Sequence, residues 1–257
     1  MNLTTYIQER LGTHSPLVMT HAVVGYPSLD DNWKMLEHMA AAGVDIVELQ
    51  LPFSEPIADG PTFIKANQDA IRSGLQWDDY FEFVARAART FEFPVLFMGY
   101  YNSVFRMGHE AFCDRLSQAG VRGYIIADLP PEEATDLNSR ARDQDLSPIL
   151  IMTPTNSDAR LAQIATQAAG FVYCVARKGV TGRKTDLELG VGEFLARCRR
   201  ATDLPLALGF GIRTAEDVRA VKPLADIAIV GTACLEAWEQ SEARYKDFLS
   251  KLTAASR

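Results

Sequence analysis

Several things are scarce in this sequence, and each scarcity removes a class of function. There are only four cysteines among 257 residues, and Cys113, Cys174, Cys198 and Cys234 stand far apart with no CxxC pair. That argues against a disulfide framework and fits reduced thiols in a cytoplasmic protein. The four histidines, His14, His21, His38 and His109, lack metal-ligand spacing, so no metal is expected. Positive charge is in deficit: 26 Lys and Arg face 33 Asp and Glu, for a net charge of −7. Without a basic cluster, nucleic acid and anionic membranes are not expected as partners. No apolar run approaches the length of a transmembrane span, and the first eleven residues read as a polar amphipathic helix rather than a signal peptide.

What is present is a regular alternation. Short apolar runs rich in Val, Ile and Leu fall at 17–24, 45–51, 94–98, 123–127, 147–152, 171–175, 205–208 and 226–230. They lack polar alternation, as strands buried on both faces should. Helical patterns separate them at 32–42, 77–90, 109–119, 132–145, 158–168, 192–201 and 215–221, with a long one at 234–252 and an extra one at 63–73. No linker or low-complexity stretch divides the chain. Eight βα repeats predict one (β/α)8 (TIM) barrel spanning residues 1–257 as a single domain, with an N-terminal helix and additional short helices.

In such a barrel the chemistry gathers at the C-terminal ends of the strands. The second run places Val47, Leu49 and Leu51 on one face and Ile46, Glu48 and Gln50 on the other. If the first face packs under helices, Glu48 points inward, where a carboxylate is costly unless paired or used. Asp59 follows on a proline-rich loop, making a candidate acid/base pair. Glycines after the sixth, seventh and eighth strands (Gly182, Gly211, Gly231) would let backbone N–H groups approach an anion. A helix starting near Gly231-Thr232 would add its positive end.

These residues resemble one family, the α subunit of tryptophan synthase. The most specific piece is Val47 to Gly60, similar to that family's Glu-Leu-Gly-x-Pro-Phe-Ser-Asp-Pro-x-Ala-Asp-Gly-Pro stretch. Asn67, Tyr100-Tyr101-Asn102-Ser103-Val104-Phe105, Ala127-Asp128-Leu129-Pro130, Gly179-Val180-Thr181-Gly182 and Gly209-Phe210-Gly211-Ile212 follow in register. Other phosphate-binding barrels share the glycines but not the Pro-Phe-Ser-x-Pro-x-Ala-Asp-Gly-Pro loop. The resemblance implies retro-aldol cleavage of indole-3-glycerol phosphate without a cofactor in this chain. It also implies an α2β2 assembly with a β subunit that carries pyridoxal phosphate. Glu48 and Asp59 would be the catalytic acids, and Gly182, Gly211, Gly231 and Thr232 the phosphate binders. Ile125, Ile151, Tyr173 and Phe210 would wall the indole pocket. Thr181 would bond Asp59 when its loop closes, and Pro52 and Glu55 would face the β subunit. The loops 52–60 and 177–189 would couple the two sites.

Three positions depart from the family pattern. Gln50 replaces a glycine and would hydrogen-bond Glu48 or narrow the pocket. His21 stands where an apolar or aromatic residue is usual, and would either bond a neighbour or touch substrate. Glu55 is one methylene longer than the usual aspartate. Gln50 and Glu55 invite two alternatives: a weakly active or non-catalytic α homologue that activates β, and a free-standing indole-releasing lyase.

Overall fold

A computed structural model describes residues 2–175, 184–209 and 211–257, and for 184–189 the backbone only. Its centre is a parallel sheet whose strands follow the order β5-β4-β3-β2-β1-β9-β8-β7-β6. The strands are β1 (Leu17–Val23), β2 (Ile46–Gln50), β3 (Val95–Gly99), β4 (Gly123–Ile126), β5 (Ser147–Pro148), β6 (Leu150–Met152), β7 (Val172–Val175), β8 (Leu206–Gly209) and β9 (Ile227–Val230). The two ends of the order, β5 and β6, are halves of one extended stretch, so the sheet closes into the expected barrel.

The fifth expected strand is split for a local reason. Pro148 has no N–H to give to a ladder. Its carbonyl accepts from Ala169 N on one side, while Ile149 N donates to Tyr124 O on the other. The stretch therefore passes from pairing with β4 to pairing with β7 around the proline.

Helices α1 (Leu3–Leu11), α2 (Leu29–Ala42), α3 (Pro61–Arg72), α4 (Trp77–Thr90), α6 (His109–Gln118), α7 (Thr135–Asp143), α8 (Asp158–Gln167) and α10 (Ala215–Val221) lie where the sequence pattern puts them. Three differ. A short helix α5 (Tyr101–Met107) follows β3, its first N–H satisfied by Asp128 Oδ1 at 2.7 Å. Asp128 thus caps a helix across the barrel mouth; α7 begins at Thr135 without a side-chain cap. Helix α9 (Lys184–Ala201) starts eight residues earlier than expected and takes in the end of the loop predicted at 177–189. The last helix is two, α11 (Thr232–Gln240) and α12 (Glu242–Ser256), because Ser241 is extended and its hydroxyl accepts from Arg244 N.

Strand alternation sorts the core into two regions. Val47 and Leu49 pack outward with helical residues such as Val84, Ala87 and Phe112. Leu17, Met19, Ile46, Leu96, Ile125, Ile149, Phe171, Ala207, Ile227 and Ile229 fill the barrel, joined by Leu3 and Ile7 of α1. Helix α1 closes the N-terminal end of the barrel, and Asp45 holds it there. Fully buried, Asp45 accepts from Arg10 Nε (3.0 Å) and Nη2 (2.6 Å) and from Val18 N (2.9 Å), with His14 Nε2 at 3.1 Å.

Asp45→Ala leaves a buried backbone N–H and a guanidinium without their shared acceptor. It should lower stability by about 2–3 kcal/mol, read as a drop in the thermal unfolding midpoint. An unchanged midpoint would show that α1 docks without this carboxylate.

Candidate active site

Glu48 and Gln50 lie on the inner face of β2 and are buried, at 2% and 0% exposure. Glu48 is paired in register with His21 of β1 on one side and Leu96 of β3 on the other. Its Oε2 has no hydrogen-bond partner among the described residues. Burial, and then the charge of Asp59, pushes its carboxyl up to about 8. A carboxyl in that condition is protonated at neutral pH and can give its proton away.

The loop after β2 returns Asp59 to the same chamber through three contacts. Gln50 Nε2 donates to Asp59 Oδ2 at 2.8 Å, and Asn67 Nδ2 to the same oxygen at 3.4 Å. Tyr100 hydrogen-bonds it as well. Burial raises the Asp59 carboxyl above its ordinary value, and the three bonds work against that rise. The expected Gln50–Glu48 bond is therefore corrected: the carboxamide bonds the loop acid instead. Gln50 can do so because Asp59 folds back over the end of β2, a path fixed by α3. Within α3, Asn67 is fully buried on the stripe Phe63, Ala66, Asn67, Ala70. Its Oδ1 accepts from Phe53 N at 2.9 Å, so one side chain secures both ends of the loop. Tyr100 OH accepts from Ala58 N at 3.2 Å and its ring stacks on Phe53 at 5.2 Å.

His21 stacks on Phe63, with ring centroids 4.3 Å apart and planes at 17°. Burial lowers the imidazole to about 4, with nearby Gln50 acting in the opposite sense. It is neutral at physiological pH, and its Nε2 completes no hydrogen bond among the described residues. A Cβ at Gly231 would lie 3.3 Å from the Phe63 ring and 3.6 Å from His21 Nδ1. The imidazole thus sits between Glu48 and the start of α11.

Tyr173 of β7 is paired with Ile151 and Ala207 and lies over Gly209, where any Cβ would overlap its ring. Burial pushes its hydroxyl well above the usual range, and the charges of Glu48 and Asp59 add to this, which places all three groups in one chamber. Ile125 is buried and Ile151 half-buried in the inner apolar cluster with Tyr173.

Gly231 and Thr232 stand at the N-terminus of α11, as expected, and no side chain caps that helix. The neighbouring helix α10 is closed by a Thr214–Asp217 capping box. Of these two helix starts, only α11 offers free N–H groups to an anion. Gly211 has a left-handed backbone, φ 84°, a conformation that favours glycine. Thr181, Gly182 and Phe210 lie outside the described residues. Pro52 is half-buried and Glu55 exposed on the loop rim. Among the described residues no group of three or more His, Cys, Asp or Glu could hold a metal ion, and no helix is long and apolar enough to cross a membrane.

In the sequence, Asn67 and Tyr100 stand in the family-like segments without a role, and Phe63 is not singled out. The signal for Asn67 lies in the helix, where it is a lone amide on an otherwise apolar stripe.

The family model described as "Tryptophan synthase alpha chain" matches residues 9–257. A tryptophan synthase alpha chain of Syntrophotalea carbinolica is 46% identical over 238 residues, 93% of this chain and 94% of that one. One of Desulforapulum autotrophicum is 45% identical over 92% and 94% of the two chains. Among solved structures, an open form of M. tuberculosis tryptophan synthase superposes with a TM-score of 0.91 at 27% identity, covering 99% of this chain and 98% of the other. The Legionella pneumophila alpha chain gives 0.88 at 28% identity, covering 99% and 97%. On the family model, the relatives and the shared barrel together, this chain belongs to the tryptophan synthase alpha chain family.

Proposed function

We propose that this chain cleaves indole-3-glycerol phosphate to indole and glyceraldehyde 3-phosphate. The observation that carries this is a buried, protonated carboxyl with a free oxygen, Glu48, sharing a chamber with Asp59. The carbon–carbon bond to be broken joins C3 of the indole to a carbon bearing a hydroxyl. Glu48 gives its proton to indole C3, which turns the ring into an electron sink. The resulting carboxylate then takes the hydroxyl proton. As that oxygen forms a carbonyl, the bonding pair returns to the ring, and indole leaves with the proton on C3. Glu48 ends protonated, as it began. Asp59 accepts the indole N–H and steadies the positive charge that develops on the ring. Tyr173, Ile125 and Ile151, with Phe210, hold the ring flat. Gly231 and Thr232, with Gly182 and Gly211, take the phosphate at the open end of α11, and Thr181 closes over Asp59.

The indole passes to a β subunit, which carries the pyridoxal phosphate, in a cytoplasmic α2β2 assembly. The surface supports such a partner. Ile57 on the loop and Phe105 on α5 are 80% and 68% exposed. The Ala58–Tyr100 bond joins their two elements beside Pro52 and Glu55. Large apolar side chains left in water at a site mouth suit a protein contact.

Glu48→Gln should lower kcat by at least about two orders of magnitude, since general acid/base catalysis is worth roughly 10²–10⁴. Asp59→Asn should lower it too, both measured as steady-state indole release. Wild-type rates within a few-fold for Glu48→Gln would overturn the mechanism. The pH dependence has a defined sign. The acid must be protonated to start the reaction, and its carboxyl ionises at about 8. Hence kcat/KM should fall as pH rises through that value, and a profile flat into the alkaline range would remove Glu48 as the donor.

A further inference from the structure

Gln50 and His21 are buried polar side chains of this chamber to which the proposed chemistry gives no task. We propose that Gln50 is a positioning residue: its carboxamide, oriented by His21, docks Asp59 onto the end of β2 before any ligand arrives. This rests on the proposed function for the meaning of Asp59, but the docking itself is a property of the chain alone.

The geometry is directional. A carboxamide has a donor end and an acceptor end. Gln50 Nε2 is committed to Asp59 Oδ2 at 2.8 Å, with Asn67 Oδ1 a further 3.4 Å contact. Its acceptor, Oε1, then has to face the other way, and Oε1 has no partner among the described residues. Nor has His21 Nε2, which sits one strand over. A neutral imidazole that carries its proton on Nε2 complements that oxygen. Burial keeps His21 neutral, and stacking on Phe63 fixes its ring plane. His21 Nε2 and Gln50 Oε1 are thus a donor and an acceptor suited to one bond that the structure leaves open, whereas the bond from Gln50 to the loop carboxylate is formed.

The bond to Asp59 from Gln50 is shorter than that from Asn67, 2.8 against 3.4 Å. Removing the carboxamide therefore leaves Asp59 with Tyr100 and a long bond from α3. The loop would then have to be ordered by substrate, and binding would bear that cost.

The test reads Asp59 directly. Among the described residues, the titratable groups near it are Glu48, Tyr100 and Tyr173, with Asp128 acting on Tyr100 from beyond. To keep a second carboxyl from titrating with it, the ¹³C shift of Asp59 is followed in a Glu48→Gln background, assigned by loss of the signal in Asp59→Asn. A bond from Gln50 favours the carboxylate, so Gln50→Leu should raise the Asp59 titration midpoint. In the otherwise wild-type enzyme, Gln50→Leu should lower kcat/KM for indole-3-glycerol phosphate by about tenfold, carried mostly by KM. His21→Phe should have a smaller effect of the same kind, His21→Gln should restore part of it, and His21→Phe should add nothing once Gln50 is Leu. Gln50→Gly serves if the leucine variant does not fold. An unmoved Asp59 midpoint, or effects of the two substitutions that simply multiply, would overturn the proposal. If the wild type fails to cleave the substrate, the proposed function falls while the titration still decides the docking.

Discussion

A carboxyl group that cannot reach water governs this barrel mouth. Glu48 is on the inner face of a strand whose neighbours are a stacked imidazole and a leucine. Ionising it there would strand a charge in a poorly solvated space, so it keeps its proton at neutral pH. The other features of the chamber follow from accommodating that acid. Asp59 is less buried and has several donors, so part of the rise that burial causes in its carboxyl is offset. Two carboxyls on one strand and its loop thus meet unlike surroundings.

The loop joining them is irregular backbone, yet it is tied from several sides. Asn67 binds its start at Phe53 and its end at Asp59, Tyr100 takes the N–H of Ala58, and Gln50 reaches Asp59 from the strand. Each tie comes from a different element, α3, the residue after β3, and β2. A loop held by rigid neighbours can place a side chain as firmly as a strand does.

Much of this was legible in the amino-acid order, because strand period and loop composition act locally. Alternation alone turns Glu48 and Gln50 inward, and glycine before threonine at the end of the last strand announces the open start of α11. What was not legible depended on contacts across the barrel. Whether Gln50 bonds Glu48 or Asp59 is decided by how far α3 carries the loop back, and no local pattern encodes that distance. Asp128 reaches across the mouth to the first N–H of α5, a helix whose seven residues are too few to register as a period. The break at Ser241 did have a local signal, a serine accepting from the N–H three residues on, hidden inside a run of good helix formers.

The proline in the fifth extended stretch has a mechanical side. A cylinder of parallel strands is stiff because each rung of hydrogen bonds shares load with the next, and Pro148 has no N–H to add a rung on the side where its carbonyl takes Ala169 N. That makes a seam, with β4 and β3 standing between it and β2. Slow breathing of the wall would concentrate along this line, where parting costs least, and would leave β2 undisturbed.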